Sequence, residues 1–412
     1  MARILFLSEL LPYPLVSGAR IRAYYVLRHL AQEHRVTLLS FVRRDDRPED
    51  VAHLETFLDQ VCTVPMRRSW LRDAWALCAS LCTGQPALIA REEIGAMHRC
   101  VREQLAHGRF DVLHADQIPM ARYGLLQGKV GTRRLLDQHN ATFQLVGRLA
   151  GREPNRWKRR LLLREARAFT RYEVAMCRRF DHVTYVTEQD RRTLSAEMGT
   201  PEGDGTSSVI PICVDTETIR PVSPVPSPLR VTVLGTMYWP PNADGFLWFW
   251  EQVWPRVQSQ VPHARLTCIG KKPPQRLQAL HGRANVEILG YVEDLRPLLA
   301  ETAVFVVPLL VAGGMRVKIL DAWCWGLPVV STAIGAEELA VRDGENILIA
   351  DAPPAFAAAV VQLLTRPQVA NRLRLAGRRW VEERYHWRRE YRAWDEVYGR
   401  LLEQPPRTHV QY

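Results

Sequence analysis

Arg316 and Lys318 fall at the start of a segment in which Val317, Leu320 and Cys324 recur at helical spacing. The first turn of a helix carries partial positive charge and ordinarily favours Asp or Glu. Two cations there suit an anionic ligand, and Gly313 and Gly314 just upstream would let backbone N–H groups approach it closely. Phosphate is the natural candidate. The same residues also allow a bland arrangement, with Lys318 paired to Asp321 and Arg316 merely solvated. A second small-residue turn, Pro12 to Arg22, places Gly18 after a short apolar run, where Arg20 and Arg22 add positive charge. Gly18 could equally be an ordinary turn glycine. No G-x-G-x-x-G or Walker P-loop occurs, so standard dinucleotide and ATP sites are not supported.

These residues need rigid elements to hold them. Short apolar runs alternate with longer amphipathic ones, the pattern of βαβ units and parallel sheets. In the first half the expected strands are Ile4–Leu7, Val36–Phe41, Val61–Val64, Val112–His114, Leu135–Asp137 and Val183–Val186. In the second they are Val231–Leu234, Leu266–Ile269, Val286–Leu289, Val304–Val307, Val329–Ser331 and Ile347–Ile349. The proline-dense stretch from Arg220 to Pro228 reads as a semi-rigid linker between the halves. The fold class is α/β, with two doubly wound parallel-sheet domains facing a cleft. Ligands of such sheets bind beyond the carboxyl ends of the strands, where the segments at Gly18, His139 and Gly313 lie. The expected organisation is an N-terminal domain over 1–208, a linker over 209–229 and a C-terminal domain over 230–385. A C-terminal helix crossing back and a loose tail occupy 386–412.

The net charge of +11 points to acidic partners such as phosphates or anionic lipid heads. No zinc-finger or RNA-recognition spacing supports nucleic acid as that partner. The eight cysteines are scattered, which indicates neither a metal site nor a disulfide framework. The N-terminal apolar run is too short for a signal peptide, and no apolar run reaches membrane-spanning length. A cytoplasmic protein is expected. Two segments suit peripheral contact with an anionic membrane: the basic stretch from Arg156 to Arg171, and the Trp-bearing apolar stretch from Trp70 to Cys82. The alternative for each is a surface helix whose apolar side joins the core.

Together these pieces resemble the GT-B glycosyltransferases of family 4, the retaining group 1 sugar transferases. The resemblance runs over nearly the whole chain and takes in Asp111-Val-Leu-His114, Leu136-Asp-Gln-His-Asn140 and Tyr185-Val-Thr-Glu188. Its most specific part is Gly313-Gly-Met-Arg-Val-Lys-Ile-Leu-Asp-Ala322 with Gly326-Leu-Pro and Gly335-Ala-Glu337. The segment Met237-Tyr-Trp-Pro-Pro-Asn-Ala-Asp244 is similar to the exopolysaccharide-associated branch. The resemblance implies transfer of a sugar, with retention, from a nucleotide diphosphate sugar to a glycan or lipid-linked acceptor, without metal or other cofactor. It makes His139, Arg316 and Lys318 the catalytic residues, and Gly18, Gly313, Gly314, Asp321 and Glu337 substrate-binding ones. His139 would lie near the transferred sugar; its alternative is a satisfied histidine at a strand end.

The chain departs from that pattern. The family's paired glutamates, eight positions apart, would fall at Gly313 and Asp321, so the first is absent and the second shortened. The basic pair often found after the first strand of the nucleotide domain is replaced by Thr236 and Asn242. Phosphate contact would then shift to Arg316 and Lys318, assisted by Lys271 or Lys272. A nucleotide-sugar-binding partner protein without transfer activity, or a GT-B nucleotide-sugar epimerase, would use the same residues.

Overall fold

The computed structural model describes residues 1–199, 205–225 and 228–403. The chain divides into two compact units. The first comprises Met1–Cys213, Gly313–Met315 and the described chain from Trp387 onward; the second comprises Val214–Ala312 and Arg316–His386. Residues 226 and 227 of the proline-dense stretch, and the expected tail from residue 404, lie outside the described residues.

The first unit is built on β1 (Arg3–Ser8), β2 (Arg35–Val42), β3 (Gln60–Pro65), β4 (Val112–Asp116), β5 (Arg133–Gln138), β6 (His182–Tyr185) and β7 (Ser207–Val209). All pairings are parallel, in the order β3-β2-β1-β4-β5-β6-β7. Each of Ile4 to Ser8 is buried, as a parallel strand covered on both faces requires. The edge strand β7 has no counterpart among the strands expected from sequence. Its Ser207-Ser208-Val209 offers a single apolar residue, too little for an apolar-run signal.

The second unit is built on β8 (Arg230–Leu234), β9 (Arg265–Ile269), β10 (Val286–Leu289), β11 (Thr302–Val307), β12 (Val329–Ser331) and β13 (Leu348–Ile349). Its order is β10-β9-β8-β11-β12-β13, again all parallel. In each sheet the chain builds outward on one side and then returns to build on the other. The reversal lies between β1 and β4 in the first sheet and between β8 and β11 in the second, and a crevice opens at the carboxyl ends of such strands. Both doubly wound sheets expected from the apolar runs are therefore present.

The final helix, Ala393–Glu403, belongs to the first unit, where Trp394 and Tyr398 are buried. Tyr398 Oη lies 2.8 Å from Nδ1 of His114 on β4. Burial pushes the His114 imidazole down to about 4, so it is neutral and acts as part of the core.

Candidate functional site

In the first unit, β1, β4 and β5 deliver a chain of buried polar groups to their carboxyl ends. Ser8 Oγ donates to Asp116 Oδ2 at 2.9 Å, and His139 Nε2 meets Asp116 Oδ1 at 2.8 Å. Asp137 Oδ2 is 3.5 Å from the same ring nitrogen. Burial opposes a charged His139, but Asp116 and Asp137 outweigh it and hold the imidazole up at about 9. His139 is thus an imidazolium at neutral pH. Burial likewise pushes Asp137 up, yet Arg22 and His139 prevail and keep its carboxyl well below the usual carboxylate range. Nε2 is committed to Asp116, which leaves Nδ1–H as the donor His139 can offer a ligand.

Arg22 is where the sequence expectation needs correction. It does not lend positive charge to a ligand at the Gly18 turn. Its side chain is fully buried and grips Asp137 with a two-pronged fork, Nε to Oδ2 at 2.6 Å and Nη2 to Oδ1 at 2.7 Å. Nη1 donates to Ile210 O at 2.7 Å, and the guanidinium lies 5.4 Å from the Trp394 ring centre. Arg20 is also engaged, with Asp46 at 2.6 Å and Tyr13 O at 2.8 Å. Gly18 itself opens the Gly18–Leu30 helix behind the Ser17 cap. Asp116, Asp137 and His139 each present a ligand atom within 4.8 Å of the others, a spacing a metal ion would accept. Arg22 already holds both Asp137 oxygens and Asp116 holds His139 Nε2, so the set reads as a closed ion-pair network.

Gly313 and Gly314 belong to this unit. A Cβ on Gly313 would stand 3.0 Å from Leu145 Cβ, tighter than side chains ordinarily pack. The absent glutamate thus has a steric counterpart: the Thr142–Arg152 helix puts Leu145 against the position. Gly314 has φ +65°, a left-handed conformation that glycine adopts at low cost, and a Cβ there would lie 3.4 Å from His139 O.

In the second unit the Val317–Cys324 helix starts at Arg316, with Lys318 in its first turn. Lys318 does not pair with Asp321. Its Nζ donates to Asn242 Oδ1 at 2.9 Å, and Asn242 Nδ2 donates to Thr236 O at 3.0 Å. The residues that stand in place of the family's basic pair therefore hold Lys318 instead. Gly235 after β8 and Gly270 after β9 make room for this, because a Cβ on Gly235 would come 2.9 Å from Lys318 Nζ and one on Gly270 would collide with the Gly235 carbonyl. Burial, aided by the Arg316 charge, pushes the Lys318 ammonium down to about 8. Arg316 is not solvated either; it is buried, donates to Ile334 O at 2.6 Å and reaches Glu337 at 3.3 Å.

Asp321 is half-buried, and burial alone pushes its carboxyl up to about 7. Such a group accepts hydroxyl hydrogen bonds when a ligand supplies them. Lys271 lies 4.5 Å from the Tyr291 ring centre. Sequence reasoning passed over Asp116, Glu9 and Glu92. Burial and the Glu9 charge push Glu92 up to about 8, and burial raises Glu9 as well. The signal for Asp116 and Glu9 was available, since each stands at or just past a strand's carboxyl end.

Two family models cover most of the chain: Glycosyltransferase Family 4 over residues 16–218 and Glycosyl transferases group 1 over residues 228–366. A curated relative is the lipopolysaccharide core biosynthesis glycosyltransferase LpsE of Rhizobium meliloti (strain 1021), 38% identical over 95 residues, 21% of this chain and 26% of that protein. Another is an uncharacterized 44.6 kDa protein in the cps region of Klebsiella pneumoniae, 28% identical over 140 residues, 32% of this chain and 36% of that one. The matches thus span about a third or less of these relatives' length. Among solved structures, HepE of Anabaena in complex with UDP superposes with a TM-score of 0.66 at 14% identity, over 97% of this chain and 100% of that one. Sucrose-phosphate synthase of Thermosynechococcus elongatus gives 0.70 at 16%, over 97% and 99%. At these identities the likeness is one of fold.

Proposed function

The chain belongs to the group 1, family 4 glycosyltransferases, and we propose that it moves a sugar from a nucleotide diphosphate sugar to a glycan or lipid-linked acceptor hydroxyl with retention of configuration. The observation that carries this reading is the pair Arg316 and Lys318 at the start of the Val317–Cys324 helix, both fixed by neighbouring groups. Held donors of this kind stabilise charge on a departing diphosphate without reorganising during the reaction. In the step itself the acceptor oxygen bonds to the anomeric carbon as the bond to the diphosphate breaks. The acceptor proton passes to the leaving phosphate on the same face. The protein positions the reactants and stabilises charge.

In this proposal Gly313 and Gly314 bring backbone N–H groups to the donor, and Asp321 takes the ribose hydroxyls. Glu337 orients Arg316, and His139 donates to the transferred sugar through Nδ1. Gly18 lines the acceptor side. Residues 1–208 serve the acceptor and 230–385 the donor. In this reading transfer needs no metal; the Arg22 fork on both Asp137 oxygens supports it, by making Asp116, Asp137 and His139 part of an ion-pair network. HepE was solved with UDP and with UDP-glucose, and LpsE is named for lipopolysaccharide core biosynthesis. These names support a nucleotide-sugar donor and a role in surface polysaccharide biosynthesis. Work at the cytoplasmic face of a membrane is the remaining part of the proposal.

A second reading, donor binding without transfer, is favoured by Leu145 pressing on Gly313 where the family carries a glutamate. One experiment separates the two. Calorimetric titration with UDP, GDP, ADP and their sugars, followed by NMR of donor turnover and of the product's anomeric configuration, should show turnover with retention. Arg316→Ala and Lys318→Ala should each lower it roughly 10²–10³-fold. Full activity in both variants would sink the assignment, and binding without turnover would establish the second reading.

A further inference from the structure

The Trp70–Thr83 helix is turned inside out relative to an ordinary surface helix. Its inner side carries Arg72, Ala76 and Ser80, of which Ala76 and Ser80 are buried. Arg72 donates to the carbonyls of Arg91 and Glu93, each at 3.0 Å. Ser80 Oγ lies 2.7 Å from Gln85 O and 3.1 Å from Glu165 Oε1, which share its one proton, and accepts from Arg164 at 2.9 Å. Its outer side carries the apolar residues: Trp70 is 75% exposed, Leu71 62%, Trp75 56% and Leu81 56%, with Leu77, Cys78 and Cys82 exposed among them. Polar groups bind the body of the unit and apolar groups face away, the reverse of the pattern that buries a core face.

Those same Ser80 contacts join this helix to the Arg156–Cys177 helix. The first turns of that second helix are exposed too, including Trp157 at 64% and Leu161 at 41%. From Arg156 to Arg171 it holds seven cations against the single carboxylate of Glu165. Arg156 and Arg160 flank the Trp157 ring at 5.5 and 5.3 Å, keeping charge and apolar surface together. The two segments whose sequences suit membrane contact thus form one joined surface of the first unit, rich in tryptophan and leucine and edged by arginine.

We propose that this surface docks on a bilayer of anionic phospholipid, with Trp70, Trp75 and Trp157 entering the headgroup region and Arg156, Lys158, Arg159 and Arg160 holding acidic headgroups. The charge decides the occupant. A second copy of this basic surface would repel it, whereas tryptophan beside arginine matches the apolar-polar boundary of an acidic leaflet. The proposal rests on the reading above that the enzyme works at a membrane face, and it gives that contact an address.

The test uses the full chain with vesicles of phosphatidylcholine alone and of phosphatidylcholine mixed with phosphatidylglycerol. The wild type should co-sediment with the acidic vesicles only, and less as salt rises. The charge variant Arg156→Gln, Lys158→Gln, Arg159→Gln, Arg160→Gln should lose about a hundredfold or more in affinity, since each basic residue near such a surface contributes measurably. The apolar variant Trp70→Ala, Trp75→Ala, Trp157→Ala should lose at least about tenfold. A polarity-sensitive dye on Cys78 should shift to the blue with acidic vesicles and stay unshifted with neutral ones. Absence of binding to acidic vesicles, or equal binding by wild type and both variants, would overturn the proposal. So would a wild-type dimer in sedimentation equilibrium that the apolar variant abolishes. Donor hydrolysis in water, measured on the same variants, should match the wild type. Loss of that activity in every form would count against the transferase reading alone, and vesicle binding would still decide this one.

Discussion

With burial and the Arg316 charge together holding the Lys318 ammonium down at about 8, the free protein gives up this charge within a pH range that assays reach. In the unfolded chain the group titrates near 10.5, so folding carries a cost that is full below pH 8 and relieved as pH rises toward 10.5. A bound diphosphate reverses the local balance by favouring the ammonium. Nucleotide binding therefore takes up a proton above pH 8, and affinity should fall there by up to about tenfold per pH unit. Lys318→Arg keeps its charge throughout and should flatten that dependence. Calorimetry of nucleotide binding between pH 7 and 9.5 in both proteins checks it, and equal slopes would show that Lys318 does not meet the phosphates. His139 provides the contrasting case. Its raised pKa gives stability that is present below about 6.5 and is lost as pH climbs through about 9.

At the scale of elements, the Thr142–Arg152 helix explains why position 313 is glycine. Gly313→Glu should not restore a missing catalytic group, because its Cβ would press on Leu145. The expected result is a loss of about 1–3 kcal/mol in denaturant unfolding without a gain in turnover. Adding Leu145→Ala should recover part of the stability. A fully stable, faster Gly313→Glu protein would show that the position is open. The strands other than β7, and the Val317–Cys324 helix, are readable from sequence, since apolar runs and helical spacing are local signals. The departure at Gly313 was readable as well, but its cause was not, because Leu145 lies more than 160 positions away in sequence. Arg22 failed for the same reason: nothing near it indicates that Asp137, Ile210 and Trp394 would enclose it. For the Trp70–Thr83 helix the sequence leaves membrane contact and a core-facing apolar side both open, since a helical pattern does not state which side meets the body.

On the scale of the whole molecule, the first unit draws its core from both ends of the chain. Trp387 stacks on Tyr25 with ring centres 5.2 Å apart, His29 meets Asp395 at 2.7 Å, and Cys213 N donates to Tyr391 Oη at 3.3 Å. Removal of everything after His386 strips Trp394 from Arg22 and Tyr398 from His114. The shortened protein should lose the cooperative unfolding of residues 1–213, seen as lost near-ultraviolet circular dichroism and rapid proteolysis there, while residues 214–386 stay protected. The milder Tyr398→Phe should keep the fold and cost about 1–3 kcal/mol by leaving His114 Nδ1 without its partner. Unchanged protection of 1–213 in the truncated form would show that the returning helix is an accessory.

This two-ended core sets an order of events during synthesis. Domains usually fold as they emerge from the ribosome, the first made being the first finished. Here the seven-stranded sheet is translated first, yet it waits for the Ala393–Glu403 helix, whereas the six-stranded sheet has all its strands once residue 349 is out. The part made first is completed last. For most of translation His114, Arg22 and Asp137 lack their final cover, and that interval is when a nascent-chain chaperone has the most to bind.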